Sequence, residues 1–366
     1  METIQKISNL KNILLTGGHG ATTGIAVIEA IKRKFTEVNI SWIGSRNAVS
    51  GSKVSSLEYK TYPLLGVKYY SITAGKLQTK FTRYTIPLLL LIPVGFFQSL
   101  ILMLKIKPQA VLSFGGYSSV PVVFWAWLFR IPIVLHEQTV VAGRASIATS
   151  FFARKIGLSR LSSLQYFPEE KSKVIGNPVS KNVLSVKPKT KIGALKTILV
   201  MGGSRGSEFI NEEIIKIVPN LINKYNIIHI TGERDYEIYK NKETKNYRVL
   251  DFVDPRYMDN LYNESDVIIS RAGANTVSEL LIIKRPVILI PLPRTFMHEQ
   301  ELNAKYAKDF GIAKVMLESE VNPKTLIQAI NDSFSNWQKI VNNVIDKESP
   351  DLDASNKLVD LVVTSI

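Results

Sequence analysis

Apolar residues in this chain gather in short runs, each closed by glycine or by a polar cluster. Residues 13–15 read as a buried strand, 17–24 as a glycine loop, 25–34 as a helix with a basic end, and 40–44 as a second strand. Residues 110–114 form another run and end in Gly115-Gly116, and 131–135 end in His136-Glu137. Residues 151–158 give a helix end and a short strand. Brief continuous apolar runs separated by helical segments are what parallel strands covered on both faces require.

The pattern then restarts. Residues 198–201 lead into Gly202-Gly203-Ser204-Arg205-Gly206, a helix runs to about Asn223, and strands follow at 227–230, 248–252, 267–270 and 287–291. Between Arg160 and Lys196 the texture differs: Pro168, Pro178, Pro188 and many lysines surround a short apolar Val174-Ile175. The pattern predicts an α/β fold, two Rossmann-like doubly wound domains facing across a cleft, with ligands at the carboxyl ends of both sheets. The expected boundaries are a first domain over 1–165, a linker over 166–196, a second domain over 197–345, and a closing helix over 346–366 that returns to the first domain.

Residues 86–104 run nineteen positions without a charge, flanked by Lys76, Lys80 and Arg83 before and Lys105 and Lys107 after. Length and basic flanks meet a marginal membrane-span criterion. Pro87, Pro93 and Gly95 interrupt the first half, and the segment lies inside a strand–helix–strand crossover. The expectation is a broken or bent apolar helical hairpin, partly core and partly dipping into a membrane face. Its basic flanks would meet anionic lipid heads.

Composition narrows the chemistry. Among 366 residues 45% are hydrophobic and 21% charged, which excludes a disordered chain. The absence of cysteine removes disulfide frameworks, zinc–thiolate and iron–sulfur sites and cysteine nucleophiles together. It fits a reducing compartment, and the N-terminus has no early apolar stretch followed by a cleavage site. Lys+Arg 46 against Asp+Glu 31 gives +15, an excess that suits an anionic partner or simply lysine-rich solvated helices. No basic block, zinc-finger spacing or RNP-like strand supports nucleic-acid binding.

The glycine loops carry the candidate chemistry. Gly17-Gly18-His19-Gly20 offers backbone N–H groups to a phosphate. His19 reads either as a general base or as a structural cap of its turn. Gly44-Ser45-Arg46 lacks the acidic residue of an NAD site, although NADP would tolerate the arginine. Ser113-Phe114-Gly115-Gly116-Tyr117 repeats the design, and His136-Glu137-Gln138 emerges at the same sheet edge. In the second half, Ser204 and Arg205 suit a diphosphate. Arg271-Ala272-Gly273-Ala274-Asn275-Thr276 opens a helix bearing Glu279, a residue for ribose hydroxyls or for ordinary helix surface. His298-Glu299-Gln300-Glu301-Leu302-Asn303 suits the hydroxyls of a sugar.

Taken in order, these motifs resemble the bacterial MurG family of glycosyltransferases, family 28. The resemblance rests on Leu15-Thr16-Gly17-Gly18, Phe114-Gly115-Gly116-Tyr117, His136-Glu137-Gln138, Gly176-Asn177-Pro178-Val179, Gly202-Gly203-Ser204, Asp251-Phe252-Val253-Asp254, the 271–279 segment, and Gln300 with Asn303. It implies a GT-B fold and metal-independent, inverting transfer of N-acetylglucosamine (GlcNAc) from UDP-GlcNAc to lipid-linked muramoyl-pentapeptide (lipid I), giving lipid II for peptidoglycan. No cofactor is implied. By the same resemblance Phe252 caps the uracil, the Val253 backbone reads its edge, Glu279 binds the ribose, and Ser204, Arg205, Ala274 and Thr276 lie at the nucleotide and its diphosphate. Glu299, Gln300 and Asn303 read the GlcNAc.

The acceptor side would comprise Gly17, Gly18, Gly20, Gly115, Gly116, Tyr117, Gln138 and Thr139, with His19 and Glu137 catalytic. Asn177, Ser180 and Lys181 stand as donor or linker contacts. The implied partners are a polyprenyl-diphosphate-linked acceptor, an anionic membrane surface on the cytoplasmic side, and the machinery of cell-wall synthesis and division. The sequence departs from the family in its shorter first glycine loop, in Thr139 for asparagine, Ser180 for arginine, Arg205 for glutamine and Glu299 for glutamine. The donor side is therefore the better kept, which leaves room for a transferase with another lipid-linked acceptor. A non-catalytic sugar-nucleotide binder and a UDP-GlcNAc 2-epimerase are the remaining readings.

Overall fold

The computed structural model describes residues 10–18, 20–47, 55–73, 75, 85–203 and 206–366, with the side chains of 85–88 left out. The chain divides into two compact units, residues through Ser180 with Asp353–Ile366, and Lys181–Leu352.

The first unit holds a seven-stranded, all-parallel sheet: β1 (Asn12–Thr16), β2 (Asn39–Gly44), β3 (Lys68–Ser71), β4 (Ala110–Ser113), β5 (Ile133–Glu137), β6 (Lys155–Leu158) and β7 (Ser172–Val174), in spatial order β3-β2-β1-β4-β5-β6-β7. Successive side chains of a strand face opposite ways. Ile13 and Leu15 of β1 accordingly join Ile25, Ile28 and Trp42 on one face, whereas Leu14 joins Ile43, Val111 and Leu135 on the other. The last helix, Ala354–Val363, packs Leu358, Val359 and Val362 into the first of these cores, and Lys34 pairs with Asp360.

The second unit repeats the plan with six parallel strands: β8 (Thr197–Met201), β9 (Asn226–Ile230), β10 (Tyr247–Leu250), β11 (Val267–Ser270), β12 (Val287–Leu289) and β13 (Ala313–Val315), in order β10-β9-β8-β11-β12-β13. Both sheets reverse their strand order once, at β1/β4 and at β8/β11. In open parallel sheets such switch points leave a crevice beyond the strand ends.

Two expectations need correction. The segment read as a linker contains β7 and pairs with β6, so the chain stays in the first sheet until well past Pro168. The segment read as a hairpin is one continuous helix, Thr85–Ile106, with Pro93 inside it. Pro87 falls in the first turn, where a missing N–H costs nothing. Further along, Trp125 Nε1 donates to the Phe96 carbonyl at 2.8 Å and Ser99 Oγ to that of Gly95 at 2.8 Å. The inward face is Gly95, Ser99 and Met103; the outward face is Leu90, Val94, Phe97, Ile101 and Leu104, apolar yet exposed. It is the one helix among the described residues long and apolar enough to cross a membrane.

Candidate active site

At the first switch point two glycine turns lie against each other. Gly18 N donates to the Gly115 carbonyl at 3.0 Å, and Ser118 Oγ donates to that of Gly17 at 3.0 Å. Gly116 has φ +83°, and a Cβ there would stand 2.8 Å from Gly18 N. Only glycine allows the turns this close. Behind them, Ala21–Lys34 begins at Gly20 with no side-chain cap. Ala21 N bonds the buried Glu58 carboxylate at 3.2 Å. His19 lies outside the described residues. Tyr117 is half-buried beside Gly116.

His136 and Glu137 are the last residues of β5 rather than the loop beyond it. His136 is fully buried; its Nδ1 donates to the Gly157 carbonyl at 3.0 Å and its Nε2 lies 3.2 Å from the Asn177 amide. Thr23 Oγ1 donates to Gln138 Oε1 at 3.1 Å and lies 3.3 Å from Asn177 Oδ1. Asn177 is thus a buried strut of the first unit. Ser180 is also buried, while Lys181 is exposed. Glu137 has both oxygens engaged: Oε1 by Thr139 N at 3.3 Å and Thr139 Oγ1 at 3.0 Å, Oε2 by Gly143 N at 3.2 Å. Burial pushes its carboxyl above the ordinary range, and the bonds from Ser146, Gly143 and Thr139 oppose that. This geometry makes Glu137 the brace of the 139–146 loop.

The second switch point is built alike. Gly206 has φ +74°, and a Cβ there would meet the Thr231 carbonyl at 2.1 Å, so the loop after β8 rests on the end of β9. Ser204 and Arg205 lie outside the described residues. Beneath the loop runs a polar chain that sequence reasoning missed. Tyr247 donates to His229 Nδ1 at 2.9 Å, and His229 Nε2 donates to Asn211 Oδ1 at 3.0 Å. Asn211 Nδ2 then donates to the Thr231 carbonyl and to Asp235, both at 2.9 Å. Burial lowers the His229 pKa to about 3, so it stays neutral.

After β11, Gly273 opens the Ala274–Ile283 helix without a side-chain cap, leaving Ala274 and Thr276 half-buried in its first turn. The helix dipole favours a phosphate there. Glu279, in the next turn, accepts from Tyr262 at 2.6 Å, and burial raises its pKa to about 7. Arg271 was read only as part of a motif. In the fold it is buried and donates to Ser207 Oγ at 3.0 Å, to the Ile290 carbonyl at 3.1 Å and to Glu318 at 2.5 Å.

Gln300 Oε1 accepts from Leu292 N at 2.9 Å, and Asn303 Nδ2 donates to the Ala272 carbonyl at 3.1 Å, which draws the helix Glu299–Phe310 to both loops. Glu299 is half-buried at its first position. Phe252 and Val253 are half-buried beyond β10, where Phe252 N bonds Asp251 at 2.7 Å. Among the described residues no group of three His, Asp or Glu converges as a metal site.

Residues 16–158 match the glycosyltransferase family 28 N-terminal domain and residues 197–358 the glycosyltransferase family 28 C-terminal domain. The UDP-N-acetylglucosamine--N-acetylmuramyl-(pentapeptide) pyrophosphoryl-undecaprenol N-acetylglucosamine transferase 2 of Bacillus cereus is 33% identical over 341 residues, 90% of this chain and 93% of its own. The corresponding transferase of Clostridium kluyveri is 32% identical over 365 residues, 96% of this chain and 99% of its own. The solved structure of MurG from Acinetobacter baumannii gives a TM-score of 0.70 at 24% identity, covering 97% of this chain and 99% of that one. UDP-GlcNAc 2-epimerase from Neisseria meningitidis, solved with UDP-GlcNAc, gives 0.66 at 13% identity, covering 97% and 100%. These two structures share the fold.

Proposed function

This chain belongs to glycosyltransferase family 28 and to its MurG branch, and on that premise we propose that it transfers GlcNAc from UDP-GlcNAc to the muramoyl 4-hydroxyl of lipid I, forming lipid II with inversion. The observation that carries the reading is the end-to-end match of both halves, in order, to transferases of that name. The epimerase shares only the fold, at 13% identity.

In this reading the second unit holds the donor. Phe252 covers the uracil, the Val253 backbone reads its edge, Glu279 takes the ribose, and the first turn at Ala274 and Thr276, with Ser204 and Arg205, takes the diphosphate. Glu299, Gln300 and Asn303 bind the sugar. The first unit binds the acceptor diphosphate at Gly17, Gly18, Gly20, Gly115 and Gly116. The acceptor oxygen attacks the anomeric carbon, its proton passes to His19, and the bond to the β-phosphate oxygen breaks with its electron pair leaving on UDP. Helix N–H groups stabilise that developing charge. Glu137, both oxygens engaged, acts on this step by holding the acceptor loop.

The same reading places the first unit at the cytoplasmic membrane face, within the machinery of cell-wall synthesis and division. Support comes from the exposed apolar side of Thr85–Ile106 and from its continuation through Phe96, Phe124, Trp127, Phe152 and Phe151, whose neighbouring ring centroids lie 5.0–6.1 Å apart. Exposed Lys105, Lys107, Arg130 and Arg144 supply charges for anionic lipid.

Transfer of labelled GlcNAc to a lipid I analogue, in EDTA, with parent and His19→Ala side by side, tests the proposal. Product from the parent and a loss of several orders of magnitude in the variant is the expected result. Bound UDP-GlcNAc without product would favour a different lipid-linked acceptor. That second reading has its own observation, the Thr139 hydroxyl turned onto Glu137 and Val141.

A further inference from the structure

The carboxylate assigned to the ribose is held from outside its own helix. Tyr262 comes from the Met258–Glu264 helix, which precedes β11, and is fully buried. A phenol at that depth needs a partner for its hydroxyl. It donates to Glu279 Oε2 at 2.6 Å, a length typical of a charge-assisted bond, and it is the one hydrogen-bond partner of the Glu279 side chain among the described residues. Anchoring Oε2 fixes the plane of the carboxylate and leaves Oε1 for a ligand. The arrangement repeats a general device, in which a donor behind a binding group removes rotamers that would otherwise have to be ordered on binding.

We propose that Tyr262 is a positioning residue for donor selection: through Glu279 Oε2 it aims Oε1 at the vicinal hydroxyls of the donor's ribose, and so lets the second unit prefer a ribonucleotide over its 2′-deoxy counterpart. The proposal rests on the reading of Glu279 as the ribose contact. A site built to bond a hydroxyl discriminates against the analogue lacking it more sharply than an apolar pocket does.

Calorimetric binding of UDP and of 2′-deoxy-UDP to the full chain tests this, with parent, Tyr262→Phe and Glu279→Gln, together with KM and kcat for UDP-GlcNAc. The parent should favour UDP by about tenfold or more, the value of one such bond. Tyr262→Phe keeps the ring and its packing; it should weaken UDP about tenfold, leave 2′-deoxy-UDP nearly unchanged, and raise KM with kcat retained. Glu279→Gln should abolish the preference. If Tyr262→Phe keeps the parent's ratio, or weakens both nucleotides equally, while Glu279→Gln loses the preference, Tyr262 has a structural role only and the ribose reading survives. A parent without preference, or Glu279→Gln that binds both nucleotides as the parent does, overturns the ribose reading and the proposal with it.

Discussion

Glu318 closes the one side of Arg271 that the rest of its surroundings leave open. The guanidinium reaches the Ile290 and Pro291 carbonyls through Nη1 and the helix cap Ser207 through Nε, and its Nη2 meets Glu318 Oε1 at 2.5 Å. Three segments around the second switch point are thereby tied to one buried charge. Breaking a fully buried pair costs roughly 3–5 kcal/mol. Glu318 is 24% exposed, so Glu318→Ala should cost about 2 kcal/mol in urea unfolding, less than that range because water reaches the pair. UDP affinity should fall with it, because Ser207 caps the helix behind the loop after β8. Glu318→Gln, which keeps a hydrogen-bond acceptor, should recover most of both.

With the ribose assigned to Glu279 as proposed, donor binding should depend on pH. Its pKa stands at about 7 against an ordinary 4.5, chiefly because burial disfavours the charged form. The folded chain then holds a proton that the unfolded chain has released between those values. This contribution to stability is full below pH 4.5 and is lost as pH rises through 7, by at most about 1.4 kcal/mol per unit. In the proposed reading ribose hydroxyls donate to the ionised form, so donor binding runs the other way. KM for UDP-GlcNAc should rise as pH falls below 7 and level off above it. Glu279→Gln should be flat across the same range, and a parent with a flat profile would remove Glu279 from the ribose.

The contact of Gly116 with Gly18 gives a prediction for the acceptor side. A methyl at position 116 would stand 2.8 Å from Gly18 N and 3.1 Å from Gly18 Cα, backbone atoms that have no rotamer to yield. The φ of +83° adds strain for any side chain. Gly116→Ala should destabilise by about 1–3 kcal/mol and should reduce kcat/KM for the lipid acceptor by at least tenfold. UDP affinity should be untouched, since the residues proposed for the donor belong to the other unit. Equal loss of UDP binding would argue against separate acceptor and donor units.

The strands that sequence reading placed are interior ones, apart from β10, and the three it did not locate are all at sheet edges. β1, β4, β8 and β11 are apolar runs because both faces are covered. β3, β7 and β13 read Lys68-Tyr69-Tyr70-Ser71, Ser172-Lys173-Val174 and Ala313-Lys314-Val315, half-exposed segments whose polar residues mask the period. Motif reading found Glu279 and Asn177 as residues, but what they do depends on partners far along the chain. Tyr262 precedes Glu279 by 17 positions, and His136 precedes Asn177 by 41. Nothing in local spacing marks such a pair. Arg271 carries a local signal of its own: it directly follows β11 and stands two residues before Gly273, where a long cation can tie the carbonyls of neighbouring strand ends.

The outward side of Thr85–Ile106 gives the last prediction. Leu90, Phe97, Ile101 and Leu104 are 69%, 64%, 50% and 57% exposed, so replacing them disturbs little internal packing. Seating such a side chain in an apolar phase is worth about 1.5–3 kcal/mol, and each nearby basic residue adds about 1 kcal/mol at an anionic surface. Leu90→Glu with Phe97→Glu should therefore abolish co-flotation with vesicles containing anionic lipid, while the unfolding midpoint and UDP affinity stay at parental values. Raising salt should weaken the parent's flotation by screening Lys105, Lys107, Arg130 and Arg144. On vesicles of neutral lipid the salt effect should vanish and the apolar contribution remain. Unchanged flotation of the doubly charged variant would place the membrane contact elsewhere on the first unit, or remove it.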